Sequence, residues 1–123
     1  MYELTVERHF AAAHKLVDYA GACARLHGHN YRVLVSFCGE KLDAEGFLVD
    51  FATLKAVCEG VLAGLDHQYL NDLPAFAGKN PTAETLAEIL FGEMAAAAEG
   101  LPARVSAVTV YESESAAVTY REA

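Results

Sequence analysis

The chain opens on a period of two. From Tyr2 to His14, the residues Leu4, Val6, Phe10, Ala12 and His14 share one parity, while Glu3, Thr5 and Glu7 take the other. That is the pattern of a strand with one buried face. Lys15 to Cys23 has no period and contains Asp18 and Gly21, so it reads as a loop. The run Tyr31, Val33, Val35, Phe37 predicts a second strand from about His29 to Cys38, ended by Gly39-Glu40-Lys41 and the turn-like Asp43-Ala-Glu-Gly46. Behind Asp50, a good N-cap, the period becomes helical with Phe51, Leu54, Cys58, Val61, Leu62 and Leu65. After Gly64 the polar cluster Asp66-His67-Gln68-Tyr69-Leu70-Asn71 breaks the stripe, and Pro74 to Pro81 reads as a loop. Thr82 caps a second predicted helix, with Leu86, Ile89, Leu90, Met94 and Ala97 inside and Gly100-Leu-Pro102 as its stop. Alternation then returns: Val105, Ala107, Thr109 and Tyr111 face one way, and Ser106, Val108, Val110 and Glu112 the other. Ser113-Glu-Ser115 turns, and Ala116 to Arg121 forms a last strand.

The order strand, strand, helix, helix, strand, strand predicts an α+β domain over residues 1–123, a four-stranded antiparallel sheet with both helices on one face. Such a sheet leaves one bare face and two open edges, which proteins usually hide by self-association, so a homo-oligomer is expected. Composition narrows the picture. With 54% hydrophobic residues in 123 and no repeat, the chain is a globular domain. Seventeen acids against nine bases, a net charge of −8, argue against a nucleic-acid or membrane-surface partner, which would need a basic face. The charged start Met1 to Arg8 reads as a strand and not as a signal peptide, and no run approaches the roughly 20 apolar residues of a membrane span. Three cysteines without framework spacing suggest reduced thiols and a cytoplasmic protein.

The chemistry gathers at Cys23-Ala-Arg-Leu-His27-Gly28-His29. Strand parity sends His27 and His29 to the same side, and His14 stands at the end of the first strand. Three imidazoles on two strands make a zinc site with an open fourth position; without a carboxylate or thioether among the ligands, iron and copper fit less well. Cys23, near Arg25, is suited to removing a proton from a carbon acid, with a fourth zinc ligand or a packed thiol as the alternative reading. Cys38 and Cys58 read as structural. Asp66-His67 is either an acid–imidazole pair that transfers protons or two polar residues closing a helix. Glu112 shares the parity of Val108 and Val110; pointing into a pocket, it can accept paired N–H donors from a guanine- or pterin-like ring, with Glu114 as competitor. Glu84, in the first turn of the second helix, suits the helix dipole.

Taken together, Phe10-Ala-Ala-Ala-His14, Cys23-Ala-Arg-Leu-His27-Gly-His29-Asn-Tyr31, Gly46-Phe-Leu-Val-Asp50-Phe51, Leu65-Asp-His-Gln-Tyr-Leu-Asn71, Asn80-Pro-Thr-Ala-Glu84 and Tyr111-Glu112-Ser113 resemble, in this order, the 6-pyruvoyl-tetrahydropterin synthase and 6-carboxy-tetrahydropterin synthase family. The resemblance implies the tunnelling fold, in which three protomers close their sheets into a barrel and two trimers stack into a hexamer with sites near subunit junctions. It implies that His14, His27 and His29 hold Zn2+, that Cys23, Asp66 and His67 form a proton-transfer triad, and that Glu112 anchors the pterin with Glu84 nearby. The three-residue gap between Cys23 and His27 is similar to the bacterial carboxy-forming branch. This implies conversion of 7,8-dihydroneopterin triphosphate to 6-carboxy-5,6,7,8-tetrahydropterin with release of acetaldehyde and triphosphate, towards the deazapurine of queuosine. The redox change is internal, so no nicotinamide is needed. Lys15 and Arg25 are candidates for the triphosphate because they lie near the site in sequence. Tyr111-Glu-Ser-Glu114 departs from relatives that carry a lysine before the anchor. The alternatives are pyruvoyl-tetrahydropterin formation, side-chain cleavage of a related pterin, a zinc hydrolase or hydratase, and a non-catalytic pterin- or zinc-binding module.

Overall fold

In the computed structural model, which describes residues 1–17, 20–21 and 25–122, the opening alternation forms β1, Tyr2–His14. Its antiparallel partner is β2, His27–Gly39, and the ladder runs without a break from Tyr2 opposite Gly39 to His14 opposite His27. β2 therefore starts two residues before the predicted His29, because the end of β1 provides backbone partners for His27 and Gly28. Val6, Phe10 and Ala12 on β1 and Tyr31, Val33, Val35 and Phe37 on β2 are buried on one face. Phe10 and Tyr31, directly opposite, stack with ring centroids 4.8 Å apart.

Helix α1, Phe51–Leu62, starts at Asp50, whose carboxylate accepts the Ala52 N–H at 2.8 Å. Its buried positions step by four through Leu54, Cys58 and Leu62. Phe51, expected in that stripe, is 53% exposed; Leu48 and Val49, just before the cap, are buried instead. Thr82 caps α2, Ala83–Ala97, by accepting from the Thr85 N–H at 3.1 Å, and Leu86, Ala87, Leu90, Phe91 and Met94 face inward. Ala97 is exposed and the neighbouring Ala98 is buried in its place. α1 packs on β1, and α2 on the last two strands, β4 (Arg104–Ser113) and β5 (Ala116–Tyr120). No helix of the described residues is long and apolar enough to cross a membrane.

The expected fold class holds, but the sheet has five strands rather than four. Gln68–Tyr69 forms a two-residue β3 that pairs parallel with Ala12 and Ala13, giving the order β3-β1-β2-β4-β5. Two residues carry no period; the free edge of β1 recruits them. The end of the polar cluster and the start of the Pro74–Pro81 loop form short 3-10 turns, Leu70–Asp72 and Pro74–Phe76, that bury Leu70 and Phe76.

Strict alternation on β4 fails at a bulge. Ser36 faces Ala107 but Phe37 faces Val105, so Ser106 has no partner, and Val105 comes onto the same buried face as Val108 and Val110. A second irregularity lies at Glu112, between the Tyr111–Ala117 and Ser113–Ala116 pairs, and the chain turns at Glu114 and Ser115 as expected.

Two glycines test this packing in opposite directions. A Cβ on Gly39 would lie 2.7 Å from Leu48 Cδ1 and 2.8 Å from the Pro102 carbonyl oxygen, whereas one on Gly60 of α1 meets nothing. Urea denaturation is expected to show Gly39→Ala destabilised by about 1–3 kcal/mol and Gly60→Ala stabilised by roughly 0.5–1 kcal/mol.

Candidate functional site

The β1–β2 ladder ends on its two histidines. His14 and His27 are directly opposite, His29 lies two residues along on the same face, and one ring nitrogen from each lies within 4.8 Å of the others. His14 is 1% exposed. Its Nδ1 donates to the Pro81 carbonyl oxygen at 2.7 Å, and the His27 Nδ1 donates to the Arg25 carbonyl oxygen at 2.7 Å. A carbonyl oxygen only accepts, so both rings carry their proton on Nδ1 and both Nε2 atoms present a lone pair. Those two Nε2 atoms stand 2.8 Å apart. Only a shared proton or a cation reconciles two lone pairs at that separation.

The third ring has the same need. His29 Nε2 is buried without a hydrogen-bond partner; the nearest carboxylate oxygen, Glu112 Oε1, is 3.6 Å away, too long for a hydrogen bond. Burial, the largest cause, holds the His29 pKa below its ordinary 6.5; Glu112 opposes this, and His14 and His27 reinforce it. Three convergent ring nitrogens, two of them with a lone pair turned inward by backbone acceptors on the far ring nitrogen, are the donor set and outer support of a metal site. This cluster could hold a metal ion. The Pro81 and Arg25 carbonyls are backbone groups and left no mark in the sequence pattern. Tyr31, whose ring meets those of His14 and His29 edge-on, was legible only as a core residue.

Of the two glutamates, Glu112 points towards the histidines, with 31% of its side chain exposed, while Glu114 sits exposed in the hairpin turn. The bulge frees Glu112 from pairing with β5. Asp66 and His67 do meet: His67 Nδ1 is 3.0 Å from Asp66 Oδ2, and Asp66 Oδ1 accepts the Ala11 N–H at 2.9 Å. That backbone hydrogen bond is the main reason the Asp66 pKa lies below its ordinary value, with His67 helping and desolvation opposing. The His67 N–H donates to the Ala11 carbonyl at 2.6 Å, and His67 adopts φ 59, left-handed backbone that is costly for a non-glycine residue.

Among the described residues, no hydrogen bond or ion pair joins this pair to the histidine cluster within one chain. His67, its side chain 81% exposed, opens on a depression of about 430 Å³ whose lining includes Ala11, Ala13, Gly28 and Asn30 together with His29 of the cluster. Lys15 and Arg25 are exposed, and the Arg25 carbonyl meets the site at His27. Glu84 is exposed in the first turn of α2. The expectation for Cys23 lies outside the described residues. Cys38 and Cys58 are buried, and burial pushes the Cys58 thiol up to about 11, in keeping with packing roles.

A family profile described as 6-pyruvoyl tetrahydropterin synthase matches residues 3–123. The chain belongs to this family. Within the synthase family, it is 36% identical to the 6-carboxy-5,6,7,8-tetrahydropterin synthase of Bacillus subtilis (strain 168), over 92% of this chain and 79% of that one. It is 34% identical to the enzyme of the same name from a Synechocystis strain, over 98% and 93% of the two chains. Among solved structures, the 6-pyruvoyl tetrahydropterin synthase of Caenorhabditis elegans superposes with a TM-score of 0.84 at 30% identity, covering 100% of this chain and 98% of that one. The family's α+β fold is thus the fold of this chain.

The lowered His29 pKa has a stability consequence with a definite sign. Below pH 6.5 the unfolded chain protonates His29 more readily than the native metal-free protein does, so the His29 contribution to native stability falls as pH drops from 6.5 towards the lowered native value and is flat above 6.5. Thermal midpoints of metal-free protein measured from pH 8 to pH 5, each about one unit apart, are expected to decline below 6.5, and His29→Gln is expected to flatten that decline.

Proposed function

We propose that this synthase-family protein is a zinc-dependent lyase converting 7,8-dihydroneopterin triphosphate to 6-carboxy-5,6,7,8-tetrahydropterin with release of acetaldehyde and triphosphate. The observation that carries the reading is the meeting of three metal-ready imidazoles with a half-buried carboxylate at 3.6 Å. An all-imidazole donor set suits zinc better than iron or copper. The two carboxy-forming relatives, and the three residues between Cys23 and His27, favour the carboxy product.

When bound, zinc supplies Lewis acidity towards the oxygens of the substrate side chain. Glu112 accepts two N–H groups of the pterin ring and so sets the side chain over the histidines, with Glu84 near the ring. Cys23, as thiolate, takes a proton from the side-chain carbon. His67 exchanges the second proton, its ring oriented by Asp66. The His67 ring is mostly exposed and bonds to no histidine of the cluster among the described residues, which supports a site in which the dyad of one copy completes that of another in a hexamer of two trimers. Lys15 and Arg25, both exposed, are the cations available to the triphosphate. The product would serve as a precursor of the queuosine deazapurine.

The similarity to the Caenorhabditis elegans enzyme supports a second reading, elimination of triphosphate to a pyruvoyl product. Incubating purified protein with 7,8-dihydroneopterin triphosphate and identifying products by mass separates the two: acetaldehyde with a carboxypterin is expected, and a pyruvoyl-tetrahydropterin without acetaldehyde would select the alternative. In the same assay Cys23→Ala should retain zinc by elemental analysis and lose about 10²–10⁴-fold in turnover, whereas His27→Ala should lose both. Full activity in Cys23→Ala would remove the thiol from the mechanism.

A further inference from the structure

We propose that Asn71 and Asn80 are positioning residues of the metal centre, each replacing a neighbouring strand for one residue of the segment that leaves His14. β1 ends at His14, and the ladder gives Lys15 and Val17 no partner. Two side-chain amides take that place. Asn71 Oδ1 accepts the Lys15 N–H at 2.9 Å while its Nδ2 donates to the Lys15 carbonyl at 2.8 Å. Asn80 does the same for Val17, accepting its N–H at 2.8 Å and donating to its carbonyl at 2.9 Å. An asparagine amide has one acceptor and a donor side by side, which matches the N–H and C=O of a single residue in extended backbone. The two clamped residues alternate, as ladder partners do.

Both clamps have firm bases. Asn71 belongs to the 3-10 turn that follows β3, beside the fully buried Leu70. Asn80 opens a tight turn in which the Thr82 N–H donates to the Asn80 carbonyl at 2.8 Å, and Thr82 is the cap of α2. Between them, the Pro81 carbonyl accepts from His14 Nδ1. Asn80-Pro81 therefore grips the chain twice, once at the His14 ring and again at the Val17 backbone. Lys15 and Val17 are exposed, and water could satisfy their backbone groups without either amide. What the amides add is direction: the last residue of a strand frays unless the chain beyond it is held, and fraying at His14 would separate its Nε2 from that of His27. Neither asparagine contacts a histidine, so each acts through the backbone.

This rests on reading the three histidines as a metal site, and the parent protein tests that separately. Zn2+ affinity by competition with a chromophoric chelator, the visible spectrum of the Co2+-loaded protein, and the thermal midpoint of the metal-free protein would be measured for the parent, Asn71→Ala, Asn80→Ala and Asn80→Asp. Both alanine variants are expected to bind Zn2+ about 10–100-fold more weakly with an altered Co2+ spectrum. Asn80→Asp, which keeps the acceptor for Val17 and loses the donor, should fall between. A purely structural role would lower the thermal midpoint and leave affinity and spectrum alone. Zn2+ affinity within about twofold of the parent and an unchanged Co2+ spectrum in the variants would overturn the proposal; if the alanine variants do not fold, Asn80→Asp decides it by the same two readouts. A parent that binds no Zn2+ would instead overturn the metal reading, and the proposal with it.

Discussion

The register of β1 against β2 is the constraint on which both the core and the site depend. Because side chains alternate along a strand, one choice of pairing puts Val6, Phe10 and Ala12 under the helices together with Val33, Val35 and Phe37, and the same choice brings His14 opposite His27. A slip by one residue would send the apolar set to the open face and scatter the imidazoles with it. Burial of the core thus holds the histidines in register, and no separate device is needed to bring those two strands together.

What the ladder brings together, electrostatics leaves in tension. His14 and His27 each spend their ring proton on a backbone carbonyl, and the lone pairs that result face one another at 2.8 Å, with a third, unpartnered nitrogen beside them. Burying unpaired acceptors costs free energy, and here the fold tolerates that cost at a place where a cation would remove it. The left-handed backbone of His67 is a cost of similar kind, held in place as the His67 N–H donates to the Ala11 carbonyl and the Ala11 N–H donates to the Asp66 carboxylate. Both departures from relaxed structure fall on residues with chemical capacity.

The irregular parts of the sheet do the remaining placement. The bulge at Ser106 rotates β4 so that Val108 and Val110 fill the core, and that phase carries Glu112 towards His29. The second irregularity releases Glu112 from β5, while Glu114 goes to the turn. At the other edge, β3 uses free backbone on β1 to dock the Asp66-His67 segment against the strand whose last residue is His14. The dyad thereby ends beside that strand, with its imidazole open to solvent.

The sequence by itself determined most of the framework, because burial leaves a period that can be read. The alternation from Leu4 to His14 and from Tyr31 to Phe37 became β1 and β2, Asp50 and Thr82 capped the helices, and the parity of His27 and His29 already placed both rings on one face. Two-residue β3 and the bulge at Ser106 escaped it, since neither has a period of its own and both arise from what the adjacent strand offers. Only the tertiary structure decided that Glu112 and not Glu114 approaches His29, that Asp66 and His67 dock on Ala11, and that Pro81, Asn71 and Asn80 grip the chain around His14. The contacts around His14 join residues more than fifty positions apart, each pairing one side chain with a backbone group, and the backbone partner of each is chosen by the path of the chain and leaves no mark in the sequence.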